Sequence, residues 1–218
     1  MAVKSGYGPE LLGVGFFGVA FGFLEAAVVV YLRALFYADG FAFPLRPLPP
    51  LLLATEMGRE GATLVMLAAV AWAPGGPGRL KLARFLFAFG LWDLFYYVGL
   101  KVVIGWPESL FTWDVLFLLP VPWVAPVLAP ALVAAYFVAV GAYGIGKRGL
   151  IRVPPGPVIL AAAGAAALLV TFFWNGAALA RGEAPTYYPW PLYGAAFAAL
   201  AAASVATVAA NRGRAGDA

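Results

Sequence analysis

The chain has 218 residues, 64% of them hydrophobic and 11% charged. Its mean hydropathy of +0.90 lies outside the range of soluble globular domains and inside that of integral membrane proteins. It has no cysteine and no histidine, which excludes disulfides, thiolate or imidazole metal sites, imidazole-ligated haem, thiol nucleophiles and Ser-His-Asp chemistry. The formal net charge of +4 is not laid out as a basic stripe with interleaved aromatics, so no nucleic-acid partner is expected.

A hydrocarbon core of ~30 Å takes about 20 apolar residues in a helix. Six segments meet that requirement, at 11–37, 50–73, 81–105, 124–145, 156–180 and 188–210. The expected fold is therefore an all-α, polytopic bundle of six transmembrane helices in a single membrane domain, 1–218. The breaks are marked by helix-stopping residues, as at Pro47-Leu48-Pro49-Pro50, Pro74-Gly75-Gly76-Pro77-Gly78 and Pro154-Pro155-Gly156-Pro157.

The first segment is too long for a signal-peptide core and carries Glu25 and Arg33, so it reads as a membrane helix kept in the mature protein. Its Gly18 and Gly22 form a GxxxG pattern suited to close helix packing, either within the chain or in a homodimer. Between the third and fourth segments, about 107–121 is apolar but short and ends among Pro120, Pro122, Pro126 and Pro130. It is expected to be an interfacial or re-entrant half-helix, with one long kinked helix as the alternative. Trp106, Trp113 and Trp123 suit the headgroup level, as do Tyr187, Tyr188, Trp190 and Tyr193 before the last span. In the fifth segment Thr171 and Asn175 suit helix–helix hydrogen bonds. The last two segments have no full charge in their apolar cores and are rich in small residues, the composition of a packing scaffold.

Lys and Arg fall mainly in alternate connections. Lys4, Arg79, Lys81, Arg84, Lys147, Arg148, Arg152, Arg212 and Arg214 lie on one side, against Arg46 and Arg181 on the other, nine to two. The positive-inside rule then places both termini in the cytoplasm of a cell inner membrane.

Eight ionisable residues lie within or beside these greasy segments: Glu25, Arg33, Glu56, Arg59, Glu60, Asp93, Lys101 and Asp114. Such groups cost about 2.5–3.5 kcal/mol each to insert, so they turn toward protein or a wet cavity and take partners. At ~1.5 Å rise per residue, all eight fall between the midplane and the outer face, leaving the inner half essentially uncharged. Glu56, Arg59 and Glu60 stand at i, i+3, i+4, an acid–base–acid face on one helix. Arg33 with Glu56, and Lys101 with either neighbouring helix, are the expected cross-helix pairs, and the Tyr96 and Tyr97 hydroxyls suit Asp93.

Together these residues predict a polar pocket opening to the extracytoplasmic side, formed by Glu25, Arg33, Glu56, Arg59, Glu60, Asp93, Tyr96, Tyr97, Lys101 and Asp114. Binding or transport of a small polar or cationic solute fits it first. A membrane-embedded enzyme acting on a lipid or lipid-linked substrate, and an accessory subunit of a membrane complex, are the alternatives. No cofactor is expected; a hard cation such as Mg²⁺, Mn²⁺ or Ca²⁺ would take carboxylates from Glu25, Glu60 and Asp93. The expected surroundings are the lipid bilayer, with other membrane subunits or a second copy as candidate partners. No phosphate-binding loop, HExxH or GxSxG motif is present.

Overall fold

A computed structural model describes residues 7–212. In chain order the elements are α1 (Tyr7–Phe36), α2 (Pro50–Trp72), α3 (Gly78–Ile104), β1 (Trp113–Phe117), β2 (Trp123–Pro126), α4 (Leu128–Gly146), α5 (Pro155–Phe173), α6 (Gly176–Ala180) and α7 (Trp190–Arg212). Lys4 and Arg214, counted above as topology signals, lie outside the described residues.

Among the described residues, five helical stretches are long and apolar enough to cross a membrane: Gly8–Phe36, Gly78–Ile104, Leu128–Gly146, Pro155–Ala180 and Trp190–Arg212. Leu35, Phe16, Ile159, Val205 and Val102 stand between 68% and 78% exposed on such helices, a surface that matches lipid rather than water. This is the build of a helical, multi-pass membrane protein. Helix α2 is nearly as long, but Glu56, Arg59 and Glu60 interrupt its apolarity.

Local chemistry sets the helix limits. Pro50 and Pro155 open α2 and α5, where the first N–H needs no partner. Gly105, at φ +71°, closes α3 in the left-handed conformation, with its N–H returning to the Lys101 carbonyl at 3.1 Å.

Helix α3 is the central post, with α1 and α4 packed along it. A Cβ on Gly22 would lie 2.4 Å from the Trp92 carbonyl oxygen, and one on Gly90 would lie 2.4 Å from that of Ala134. The GxxxG of α1 thus serves contact with α3 inside one chain. A second pair, α5 and α7, docks on this trio through buried Ala125, Ala129, Leu168, Phe172, Tyr188 and Tyr193. The Tyr193 hydroxyl donates to the Ala129 carbonyl at 2.8 Å, and that of Tyr136 donates to Leu200 at 3.1 Å.

Two sequence expectations are corrected here. Residues 107–121 hold no half-helix. They lead into an antiparallel hairpin in which Trp113 pairs with Pro126, Asp114 with Ala125, Val115 with Val124 and Phe117 with Trp123, with an irregularity between Val115 and Phe117. Pro120, Pro122 and Pro126 lack the N–H groups a helix needs, while alternating Trp113, Val115 and Phe117 suit a pleated surface. Nor do Tyr188 and Tyr193 belong to an interfacial belt, since both are core residues. Their neighbour Thr171 exchanges a 3.0 Å bond with the Tyr188 hydroxyl, and Asn175 donates to the Tyr187 carbonyl at 3.1 Å, so both serve packing.

Candidate functional site

At one end of the bundle α1, α2, α3 and the hairpin enclose a cavity of about 490 Å³. Nine of the ten residues singled out from the sequence line it: Glu25, Arg33, Glu56, Arg59, Glu60, Asp93, Tyr96, Tyr97 and Asp114. Lys101 does not. Its side chain turns back over the end of α3, donating to the Gly105 and Pro107 carbonyls at 2.9 and 2.8 Å, where it satisfies helix-end acceptors.

The pairing differs from the sequence expectation as well. Arg33 bonds Asp114 rather than Glu56, with Nη2 donating to Oδ1 at 3.0 Å and both side chains buried. Its guanidinium lies 3.7 Å from the Trp106 ring centroid and 4.4 Å from that of Phe41, a cation held between two aromatic faces. The other Asp114 oxygen accepts from the Tyr96 hydroxyl at 3.3 Å, so Tyr96 serves Asp114 and not Asp93. The hairpin therefore supplies the counter-ion for α1, a relationship that a half-helix reading could not contain.

Helix α2 contributes a stripe at one-turn spacing: Glu56, Glu60, Thr63, Leu67 and Ala71 are its buried residues. The first three make that stripe polar at the cavity, and the last two make it apolar beyond. Arg59 donates through Nε to Glu56 Oε2 at 3.0 Å and through Nη1 to Glu25 of α1. Glu25 also accepts from the Thr63 hydroxyl at 3.3 Å. Glu60 reaches the hairpin, where both carboxylate oxygens accept the Leu118 N–H, at 3.0 and 2.9 Å. The strand irregularity just before Leu118 takes that amide out of the ladder, and Glu60 supplies the acceptor it needs.

Asp93 is different. It lines the cavity beside Trp92, yet no side chain or backbone donor among the described residues bonds it. The remaining wall is apolar and aromatic, including Val29, Leu32, Phe36, Tyr37, Leu48 and Leu53. Three bases, Arg33, Arg46 and Arg59, face five acids across this cavity. Glu25 and Glu60 are each engaged as described, and among the described residues no group of three His, Cys, Asp or Glu is arranged to hold a metal ion.

The opposite end of the bundle is not free of buried charge. Arg84, expected in a connection, lies inside α3, 4% exposed, where it pairs with Glu10 of α1 and donates to the Gly75 carbonyl at 2.5 Å. It ties the start of α1 to the turn after α2, a structural role that counting loop charges could not distinguish.

No protein-family model, curated protein or solved structure matches this chain. The functional reading rests on the site itself.

Proposed function

We propose that the protein lies in a cell inner membrane with both termini cytoplasmic, that α2 spans with the five more apolar helices, and that the cavity opens to the extracytoplasmic side. There it binds, and as part of a transport cycle passes on, a small solute carrying a cationic group. Support for the orientation is the Lys/Arg distribution: with the buried Arg84 set aside, eight charges in connections, at helix ends on that side or at the termini still oppose Arg46 and Arg181.

The observation that carries the ligand class is Asp93. Its carboxylate is the one acid of the cavity with no bond to a protein donor, while the other four accept from Arg33, Arg59 or the Leu118 N–H. Asp93 is partly buried, a carboxylate turned from bulk water without a protein donor is costly, and an ammonium group would provide both charge and donors. Tyr37, Phe41, Trp92, Tyr96 and Tyr97 offer aromatic faces to the same ligand. The volume falls in the range of about 300–1,000 Å³ usual for small-molecule sites, with apolar walls for the rest of the solute. Acid–base catalysis on a lipid, for which Glu25 and Asp93 would be the paired carboxylates, is less well served because Glu25 is tied to Arg59 and Thr63.

Thermal unfolding of the purified full chain against primary amines, quaternary ammonium compounds, amino acids, polyamines and simple cations tests the proposal. At least one amine should raise the unfolding midpoint saturably, and Asp93→Asn should abolish that rise. A screen without a shift, or a shift retained in Asp93→Asn, overturns it.

A further inference from the structure

The cavity has two unlike ends. Asp93, near its floor, is an acceptor that no donor bonds among the described residues, while Arg33 and Arg46, toward its mouth, hold N–H groups that no acceptor there uses. Resting on the amine reading above, we infer that the solute is an elongated zwitterion whose ammonium group meets Asp93 and whose carboxylate meets Arg46 and Arg33.

Arg33 is 8% exposed, and its contacts leave one edge unused. Trp106 and Phe41 lie against its guanidinium, and Asp114 takes Nη2. Nη1 is buried with no acceptor among the described residues. A buried N–H of this kind is costly, so it suits an oxygen brought by the solute.

Arg46 is exposed and fixed at the cavity mouth. Its backbone N–H donates to the Tyr37 hydroxyl at 2.8 Å, and its guanidinium lies 5.4 Å from the Tyr37 ring centroid. Nη1 donates to the Phe36 carbonyl at 2.8 Å, which caps α1 and leaves Nε and Nη2 over. Arg33 faces Asp114, and Arg59 faces Glu25 and Glu56, so among the described residues Arg46 is the one base of the cavity without an acid. The Tyr37 and Phe41 rings, 5.1 Å between centroids, link the two arginines along one wall. A carboxylate matches a single unmatched cation, whereas a phosphate monoester carries nearly two charges.

Spacing sets the length of the solute. A Cβ on Gly22 would lie 2.4 Å from the Trp92 carbonyl oxygen, which puts Asp93 close to the level of Gly22 on α1. Arg33, and the Phe36 carbonyl that holds Arg46, lie eleven and fourteen residues further along α1, about 16–21 Å at the helical rise. With about 3 Å allowed for each charge-assisted contact, the two charged ends of the solute stand roughly 10–15 Å apart. An α-amino acid is too short for that. A long-chain ω-amino acid fits, and Val29, Leu32 and Leu53 supply apolar wall for its middle.

Isothermal titration of the purified full chain in one detergent tests this with ω-aminododecanoate, its primary amide and γ-aminobutyrate. The long acid should bind about tenfold more tightly than its amide, the size of one hydrogen bond to a charged group. It should also bind more tightly than γ-aminobutyrate. In Arg46→Gln the preference for acid over amide should fall toward parity while affinity for the amide holds, which also shows that the variant is folded. No binding of the long acid, equal binding of acid and amide, an undiminished preference in Arg46→Gln, or equally tight binding of γ-aminobutyrate overturns the inference. The amine reading has its own mark, since Asp93→Asn should lose acid and amide alike. If acid and amide bind equally and Asp93→Asn loses both, the zwitterion falls and the amine site stands. If Asp93→Asn keeps both, the amine reading falls and takes this inference with it.

Discussion

Arg33 and Asp114 are 81 positions apart in the chain and 3.0 Å apart in space, joined inside a cage of Trp106, Phe41 and Tyr96. The pair fastens α1 to the hairpin that covers the cavity. Removing one partner leaves the other charge buried and unmatched, so Asp114→Ala should destabilise the protein by about 3–5 kcal/mol. Replacing both residues with Leu should recover much of that loss. Reversible unfolding of the two single variants and the double variant, compared as a thermodynamic cycle, provides the check.

Asp93 and Glu25 line the same cavity but should answer mutation in opposite ways. Asp93→Asn removes a charge that bonds no protein group, so the unfolding midpoint should hold or rise. Glu25→Gln takes from Arg59 one of its two carboxylate partners and should cost about 1–3 kcal/mol. Thermal unfolding of the two variants in one detergent separates them, and equal losses would show that Asp93 also has a structural role.

The Leu118 amide should be slow to exchange with deuterium because Glu60 covers it on both oxygens. Glu60→Ala should speed exchange at that amide, and Glu60→Gln, which keeps one acceptor, should give an intermediate rate. Mass spectrometry of peptides spanning 113–123 reads this out. Unchanged protection in Glu60→Ala would mean that the hairpin holds its tip without α2.

Gly22→Ala drives a methyl group onto the Trp92 carbonyl and should cost about 1–3 kcal/mol by parting α1 from α3. Gly13→Ala, on the same helix with nothing within 4 Å, should be neutral or gain up to about 1 kcal/mol in helix propensity. Chemical unfolding of the two variants is sufficient to compare them.

The helices were legible because apolar length is a local property, and their starts were legible because Pro50 and Pro155 act on their own backbone. The gathering of Glu25, Glu56, Arg59, Glu60 and Asp93 at one end was also legible, since helical rise converts residue number into depth. Their partners were not. Arg33 finds Asp114 only because 113–126 folds back as a hairpin, and an apolar, proline-broken stretch suits a headgroup-level helix equally well by composition. The alternation of Trp113, Val115 and Phe117 ahead of Pro120 was the available signal for strands. Lys101 and Arg84 show the same limit from the other side: a cation's position does not tell whether it caps a helix end, crosses to another helix or marks topology.

The seam of α2 has a consequence for how this helix can move. Around Leu67 it is held by dry van der Waals contact with Val14, Phe21, Ala88 and Trp92, and at Ala71 its carbonyl accepts from the buried Arg84, an end that no solute in the cavity can reach. Toward Glu56 its attachments to α1 and the hairpin are ionic and amide bonds, which an incoming ammonium group can exchange for its own at small net expense. Displacement of α2 should therefore begin at the cavity mouth and pivot about Leu67, so that occupancy of the site and the tilt of this one helix become a single coupled event.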